Sequence, residues 1–255
     1  MTYESQISFT LDTICPWTYL AKKRFVCTSS CTGTASLHAI CKPARSPGLI
    51  RSSPIALRRF RETDDAKTTT FVVKFFPYQL YPEASKEGED KAEWYKKSKY
   101  GDSQEKMNTY IKLMTAYGKT AGIDYKFGGT VANTLDAHRV IQHFQEEKGS
   151  ETADKIINSL YSQYFEHEKH PSSTETLLKA TADAGIPEEE ARPIIENKNE
   201  GLADVKSLIQ EQAMNGVDSV PTIIFEGKKR DFTLVGARDV EEYEKTLHQI
   251  AKESN

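Results

Sequence analysis

The chain has 255 residues, with 34 Lys and Arg against 37 Asp and Glu, a net charge of −3 and 38% hydrophobic residues. That near balance, with the two signs interleaved, leaves no basic excess for a nucleic-acid binder. No apolar run approaches the roughly 18–20 residues that cross a bilayer. The N-terminal stretch MTYESQISF lacks the charged-then-apolar pattern of a secretory leader, so a soluble, cytoplasmic protein is expected.

Residues 7–11, ISFTL, alternate apolar and polar as a half-buried strand does. A turn, Cys15-Pro16 and a stretch able to wind into a helix over residues 16–25 follow. Proline is tolerated in the first helical turn because its missing N–H would lack a partner there anyway. Cys15 thereby falls at a helix N-terminus, where unpaired amides and the helix dipole favour a thiolate over a thiol. A buried structural cysteine is the plain alternative for a lone Cys. The order strand, turn, Cys-Pro, helix makes Cys15 the candidate reactive atom.

Residues 26–54 differ from their surroundings: rich in Ser, Thr, Cys, Pro and Arg, free of Asp and Glu, and without a period of 2 or 3.6. They interrupt a helical pattern that resumes over residues 55–61, and read as an irregular insertion without a core of its own. Cys27, Cys31, Cys41 and His38 lie within it, but their irregular spacing is not that of zinc ligands, and no metal is expected.

Residues 69–76, TTFVVKFF, read as a buried strand ended by Pro77. Tyr78 and Gln79 open the loop at its C-terminal end, where open α/β sheets commonly hold ligands. The next 130 residues or so, 86–214, are helical in character. Met107, Tyr110, Ile111, Met114 and Tyr117 form an amphipathic stripe, stopped by Gly122. Asn133 or Thr134 caps a helix carrying Asp136, His138 and Arg139. Further helices are expected over residues 152–166, 173–184, 187–197 and 201–214. Strand signals return only at Ser219-Val220-Pro221-Thr222, over 222–225 and 232–235, before a closing helix over 239–252.

The resulting order, β-α-β, a helical block, then β-β-α, is that of an α/β thioredoxin-like fold with a large all-α insertion. The division expected is a thioredoxin-like domain over residues 1–85 and 215–255 around a helical domain over 86–214. DTICPWTYLAKKRF, FFPYQLYPE, NTLDAHRVI and GVDSVPTIIFEGK, in that order, resemble the FrnE-like branch of the DsbA family. That branch is related to 2-hydroxychromene-2-carboxylate isomerases and kappa-class glutathione transferases. The resemblance implies a cis peptide at Val220-Pro221 facing Cys15, with backbone groups able to pair with a peptide or glutathione. It also implies that the helix bearing Asn133 and His138 lines the cleft, with His138 able to carry a proton near neutral pH.

One departure bears on the reaction. Dithiol members of the family carry Cys-Pro-Trp-Cys, whereas this chain has Cys15-Pro16-Trp17-Thr18. The resolving cysteine is replaced, so the resemblance implies monothiol chemistry at Cys15 with an external thiol, glutathione above all, as co-substrate rather than bound cofactor. Small-molecule thiols or disulfides and protein disulfides are the expected partners. A second reading has Thr18 and the helix amides hold glutathione's own sulfur for an isomerase or transferase on aromatic electrophiles. A non-catalytic thioredoxin-like binding module is the third. Kappa-class relatives hold the γ-glutamyl group with a Ser-Asp pair where this chain has Ala237-Arg238-Asp239, which weakens that part of a glutathione site.

Overall fold

The computed structural model describes residues 2–25 and 56–254. The insertion expected over 26–54, with Cys27, His38, Cys31 and Cys41, lies outside the described residues.

β1 (Tyr3–Leu11), longer at its start than the alternation predicts, runs down the middle of a four-stranded sheet. Its inward residues Ile7, Phe9 and Leu11 are fully buried. α1 (Pro16–Phe25) follows after a four-residue turn, and α2 (Ala56–Arg61) and a 3-10 turn at Asp64–Lys67 lead to β2 (Thr69–Pro77). β2 pairs in parallel with β1 from Tyr3↔Thr69 to Leu11↔Pro77. A parallel pair requires a crossover, which α1 and α2 supply.

A two-residue strand, β3 (Glu89–Asp90), precedes α3 (Lys91–Tyr100) and α4 (Gln104–Ala121). β4 (Thr130–Val131) pairs back on β3, leaving a two-stranded ribbon that the sequence did not signal because each half is too short to show a period. α5 (Leu135–Lys148), α6 (Ser150–Glu166), α7 (Thr174–Asp183), α8 (Glu188–Glu196) and α9 (Leu202–Met214) complete the helical block. β5 (Thr222–Phe225) then returns antiparallel beside β1, β6 (Phe232–Val235) pairs with β5, and α10 (Val240–Ser254) closes the chain. The sheet order is β2-β1-β5-β6.

Helix ends follow local chemistry. Asp90 and Ser103 accept from Glu93 N–H and Lys106 N–H as side-chain N-caps. Gly101 and Gly122 stop α3 and α4 in the left-handed region that glycine enters without penalty. The core joins the two parts of the chain: Phe25 of α1 packs on Phe9, Phe225 and Tyr243, while Tyr19 of the same helix stacks on Tyr161 and Phe165 of α6. Among the described residues no helix is long and apolar enough to cross a membrane.

Arg139, although charged, lies inside the molecule. It is fully buried, 3.4 Å from Asp136, and its guanidinium donates to the carbonyls of Ile194, Ile195 and Glu200. The last turn of α8 thus finds donors for its orphan carbonyls on α5.

Candidate active site

β1 ends at Leu11, and residues 12–15 turn so that Cys15 N–H donates to Asp12 O at 3.1 Å while Cys15 O accepts from Tyr19 N–H at 3.2 Å. Cys15 therefore occupies the N-cap position of α1. Its Sγ faces the loop before β5, 3.6 Å from the Val220 carbonyl oxygen, and the Val220-Pro221 peptide is cis. Gly236 N–H donates to Pro221 O and Thr222 Oγ1 to Ser219 O, which fix that loop on the sheet. Two segments over 200 residues apart thus meet at the sulfur.

The turn is tied from below. Asp12 is completely buried; its Oδ2 accepts from Leu80 N–H at 2.7 Å and its Oδ1 from Ile14 N–H at 3.4 Å. His138 of α5, also buried, sets its Nε2 3.4 Å from the same Oδ1, while its Nδ1 has no hydrogen-bond partner. The Asp12 carbonyl lies within hydrogen-bond distance of the Thr18 hydroxyl (2.9 Å) and the Tyr161 hydroxyl (3.4 Å). Thr18 Oγ1 is also 2.7 Å from the Cys15 carbonyl. A hydroxyl has a single proton, so it bonds one of these carbonyls or the Cys15 sulfur at a time.

The helix N-terminus alone predicts a thiolate, but the surroundings reverse the balance. Cys15 is 3% exposed. Burial pushes the thiol up to about 11, and the Asp12 carboxylate adds to the rise. The Thr18 N–H and hydroxyl and the Trp17 N–H pull the other way and are outweighed. At rest the sulfur is protonated.

The candidate residues fall into two groups. Cys15, Thr18 and the Val220-Pro221 peptide come together at the start of α1, and His138 contacts Asp12 in the turn before it. Trp17 points outward, half-buried, edge-on to Tyr117 of α4 at 5.5 Å. Asn133 clasps loops instead: it accepts from Gln79 Nε2 and Leu135 N–H, and donates to Pro82 O at 2.6 Å. Its bond from Leu135 N–H, the first residue of α5, serves the helix start, where Thr134 holds the N-cap position without a side-chain cap bond. Tyr78 donates to Asp218 O at 2.8 Å, bridging the loop after β2 to the one before β5.

Two components went unnoticed in the sequence. Asp12 stands three residues before Cys15, and its only signal is an acidic residue at the end of an apolar strand. The other is a ring of phenols. Tyr81, Tyr95, Tyr110, Tyr125 and Tyr161 all lie where a Cys15 thiolate would act on them, and burial holds each of them neutral. Tyr125 donates to Pro16 O at 2.6 Å. Behind Pro16 lies a small cavity of about 20 Å³, walled by Tyr95, Tyr110, Tyr125 and Phe127, with Lys91 among its lining. Lys91 Nζ sits 4.2 Å above the Tyr164 ring and donates to Tyr164 O at 3.4 Å; burial pushes its amine down to about 8. Among the described residues no cluster of three or more His, Cys, Asp and Glu could hold a metal ion.

The fold recurs in solved structures. A probable DsbA oxidoreductase from Streptomyces coelicolor superposes with a TM-score of 0.71 at 19% identity, covering 98% of this chain and 91% of its own. A 2-hydroxychromene-2-carboxylate isomerase gives 0.60 at 12% identity, covering 97% of this chain and 96% of its own. The cytosolic disulfide reductase DsbM from Pseudomonas aeruginosa, in its structure with GSH, gives 0.54 at 10% identity over 97% and 96%. No curated protein matches the sequence. Residues 53–248 match the family described as DSBA-like thioredoxin domain. That match starts beyond Cys15, and the strand and helix missing from it, β1 and α1, are those the fold places at the centre of the sheet and beside the cis proline. With three-quarters of its length in the match and the remaining elements in their places, this chain belongs to the DSBA-like thioredoxin domain family.

Proposed function

We propose that this chain is a thiol–disulfide oxidoreductase that works through Cys15 as a single thiol, in the cytoplasm, with glutathione or another small external thiol completing the cycle. The observation that carries the reading is the 3.6 Å approach of Cys15 Sγ to the Val220 backbone beside the cis proline. A strand-like ligand pairing with that backbone would bring its disulfide to the sulfur. The Cys15 thiolate then attacks one sulfur of a small or protein disulfide; a mixed disulfide forms and the other sulfur leaves as a thiolate. An external thiolate attacks the mixed disulfide and frees Cys15. Thr18 has no sulfur, so resolution inside the helix is absent from this scheme. Fold similarity to a cytosolic disulfide reductase solved with GSH supports the choice of co-substrate.

The test is a glutathione-coupled disulfide reduction assay. Cys15→Ser is expected to abolish turnover, and a fully active Cys15→Ser protein would sink the proposal. Thr18 in place of a second cysteine, with fold similarity to a 2-hydroxychromene-2-carboxylate isomerase, favours a second reading, in which glutathione bound at the helix start is delivered to an aromatic electrophile. There Cys15→Ser retains glutathione binding by calorimetry and retains isomerase or transferase turnover, which separates the two.

A further inference from the structure

α4 lies against the reactive helix with its inner side buried through Met107, Met114, Gly118 and Ala121. On its outer side Leu113 and Tyr117, one turn apart, stay 46% and 38% exposed, and Tyr117 meets Trp17, two residues along α1 from Cys15. Neighbouring exposed apolar side chains beside a reactive group mark a contact surface. Charge marks the same helix. Residues 91–126, from the start of α3 to just past α4, hold eight lysines against four acids, a net +4 in a chain whose net charge is −3. Three of those acids are engaged, Glu93 and Asp102 with Lys96 and Asp124 with Lys126; Glu105 is the fourth. Exposed Lys97, Lys99, Lys106, Lys112 and Lys119 have no carboxylate partner among the described residues, and Lys99 lies over the Tyr81 ring instead. Lys106 and Lys119 stand about 20 Å apart along the helix axis. A tripeptide thiol spans about 10 Å at most, so an occupant reaching both is a longer polypeptide.

We propose that the outer side of α4 docks the polypeptide substrate of Cys15, by a segment in which aspartate or glutamate flanks an apolar side chain. The apolar group packs on Leu113 and Tyr117, and the carboxylates meet Lys106, Lys112 and Lys119, which bracket those two residues along the helix. The segment's disulfide is thereby held beside Trp17, at the start of α1. A nucleic-acid strand would meet the same lysines, but the net negative charge of the whole chain opposes a long polyanion.

This rests on the oxidoreductase reading and names its substrate class, but its test is binding, apart from turnover. Two peptides of about 12 residues, long enough to span the lysines, carry serine in place of cysteine and differ only in Glu against Lys around a central Leu. Each bears a neutral dye and is titrated with the full chain by fluorescence anisotropy. At low salt the Glu peptide is expected to bind about tenfold tighter than the Lys peptide, and the gap closes at about 0.5 M salt. Lys112→Glu combined with Lys119→Glu, both at exposed helical positions, reverses the preference. The gain for the Lys peptide is a result that misfolding does not produce. Leu113→Ser weakens the Glu peptide about fivefold at either salt level. Equal binding of the two peptides, a preference untouched by the charge reversal, or an unchanged affinity in Leu113→Ser overturns the proposal. So does an RNA of similar length that binds more tightly than the Glu peptide, or a dimer of the chain that the charge reversal dissolves; these assign the surface to nucleic acid or to a second copy. Failure of the oxidoreductase reading shows instead as undiminished turnover in Cys15→Ser, whichever peptide binds.

Discussion

At position 18 a threonine stands where a second sulfur would close an intrahelical disulfide, and its hydroxyl has a definite role. Thr18 is fully buried, and both its N–H and its hydroxyl ease the Cys15 thiol toward the anion against burial and Asp12. Removing the hydroxyl therefore raises the thiol: Thr18→Ala is expected to move the Cys15 alkylation midpoint up by about half a pH unit. Stability changes little, by about 1 kcal/mol, because the two carbonyls it serves keep other donors. Asp12 O retains Cys15 N–H, and Cys15 O retains Tyr19 N–H. Disulfide exchange persists at a reduced rate near neutral pH. Loss of all exchange in Thr18→Ala would assign the hydroxyl a direct part in the chemistry.

Between elements, the contact of α3 with α6 carries an electrostatic burden. Lys91 opens α3 and lays its ammonium on the Tyr164 ring with a single long hydrogen bond. Burial holds the folded amine at about 8, below its ordinary value near 10.5. Between those two pH values the unfolded chain binds the extra proton, so stability rises with pH through the window, and below about pH 8 the penalty is complete. Lys91→Met replaces the charge with an apolar group of similar length. It is expected to stabilise the protein at pH 7 by about 1–2 kcal/mol after the lost cation–π contact is counted. That gain fades as pH approaches 10.5, which urea denaturation at several pH values would trace; a constant gain would point to packing instead. Such burdens are invisible in sequence. The periodic and turn signals of α4, α5, β2 and the Val220-Pro221 loop were legible because they are local, and the Cys15 helix start was legible through Pro16. The raised thiol, the Asp12–His138 contact and the buried Arg139 were not, because each depends on what arrives from a segment 50 or more residues distant.

For the molecule as a whole, the chain reads as a sheet domain interrupted by a helical one at about residues 86 and 214, and we propose that this division is architectural rather than energetic. The buried residues form one cluster running from Phe9 and Phe225 in the sheet to Ile157 and Leu177 among the helices. α1 is the joint. Phe25 serves the sheet side, Tyr19 the helical side, and Lys22 on the same helix is bound to Asp154 of α6. Gln145 of α5 binds both the N–H and the carbonyl of Phe75 in β2. Taking either part away would expose apolar area and leave these polar groups unpaired, so neither keeps a complete core alone. The two tryptophans provide a direct test, since Trp17 sits on α1 and Trp94 on α3. Trp94→Phe leaves a reporter at the active-site helix, and Trp17→Phe leaves one in the helical block. Within each variant, the urea transition followed by the remaining tryptophan is expected to coincide with that followed by far-ultraviolet circular dichroism. A helical block that unfolded separately would instead give a Trp94 transition displaced from the circular dichroism curve. Coincidence matters for the proposed chemistry, because the surroundings of Cys15 are built from the turn after β1, from His138 of α5 and Tyr161 of α6, which contact that turn, and from the loop before β5.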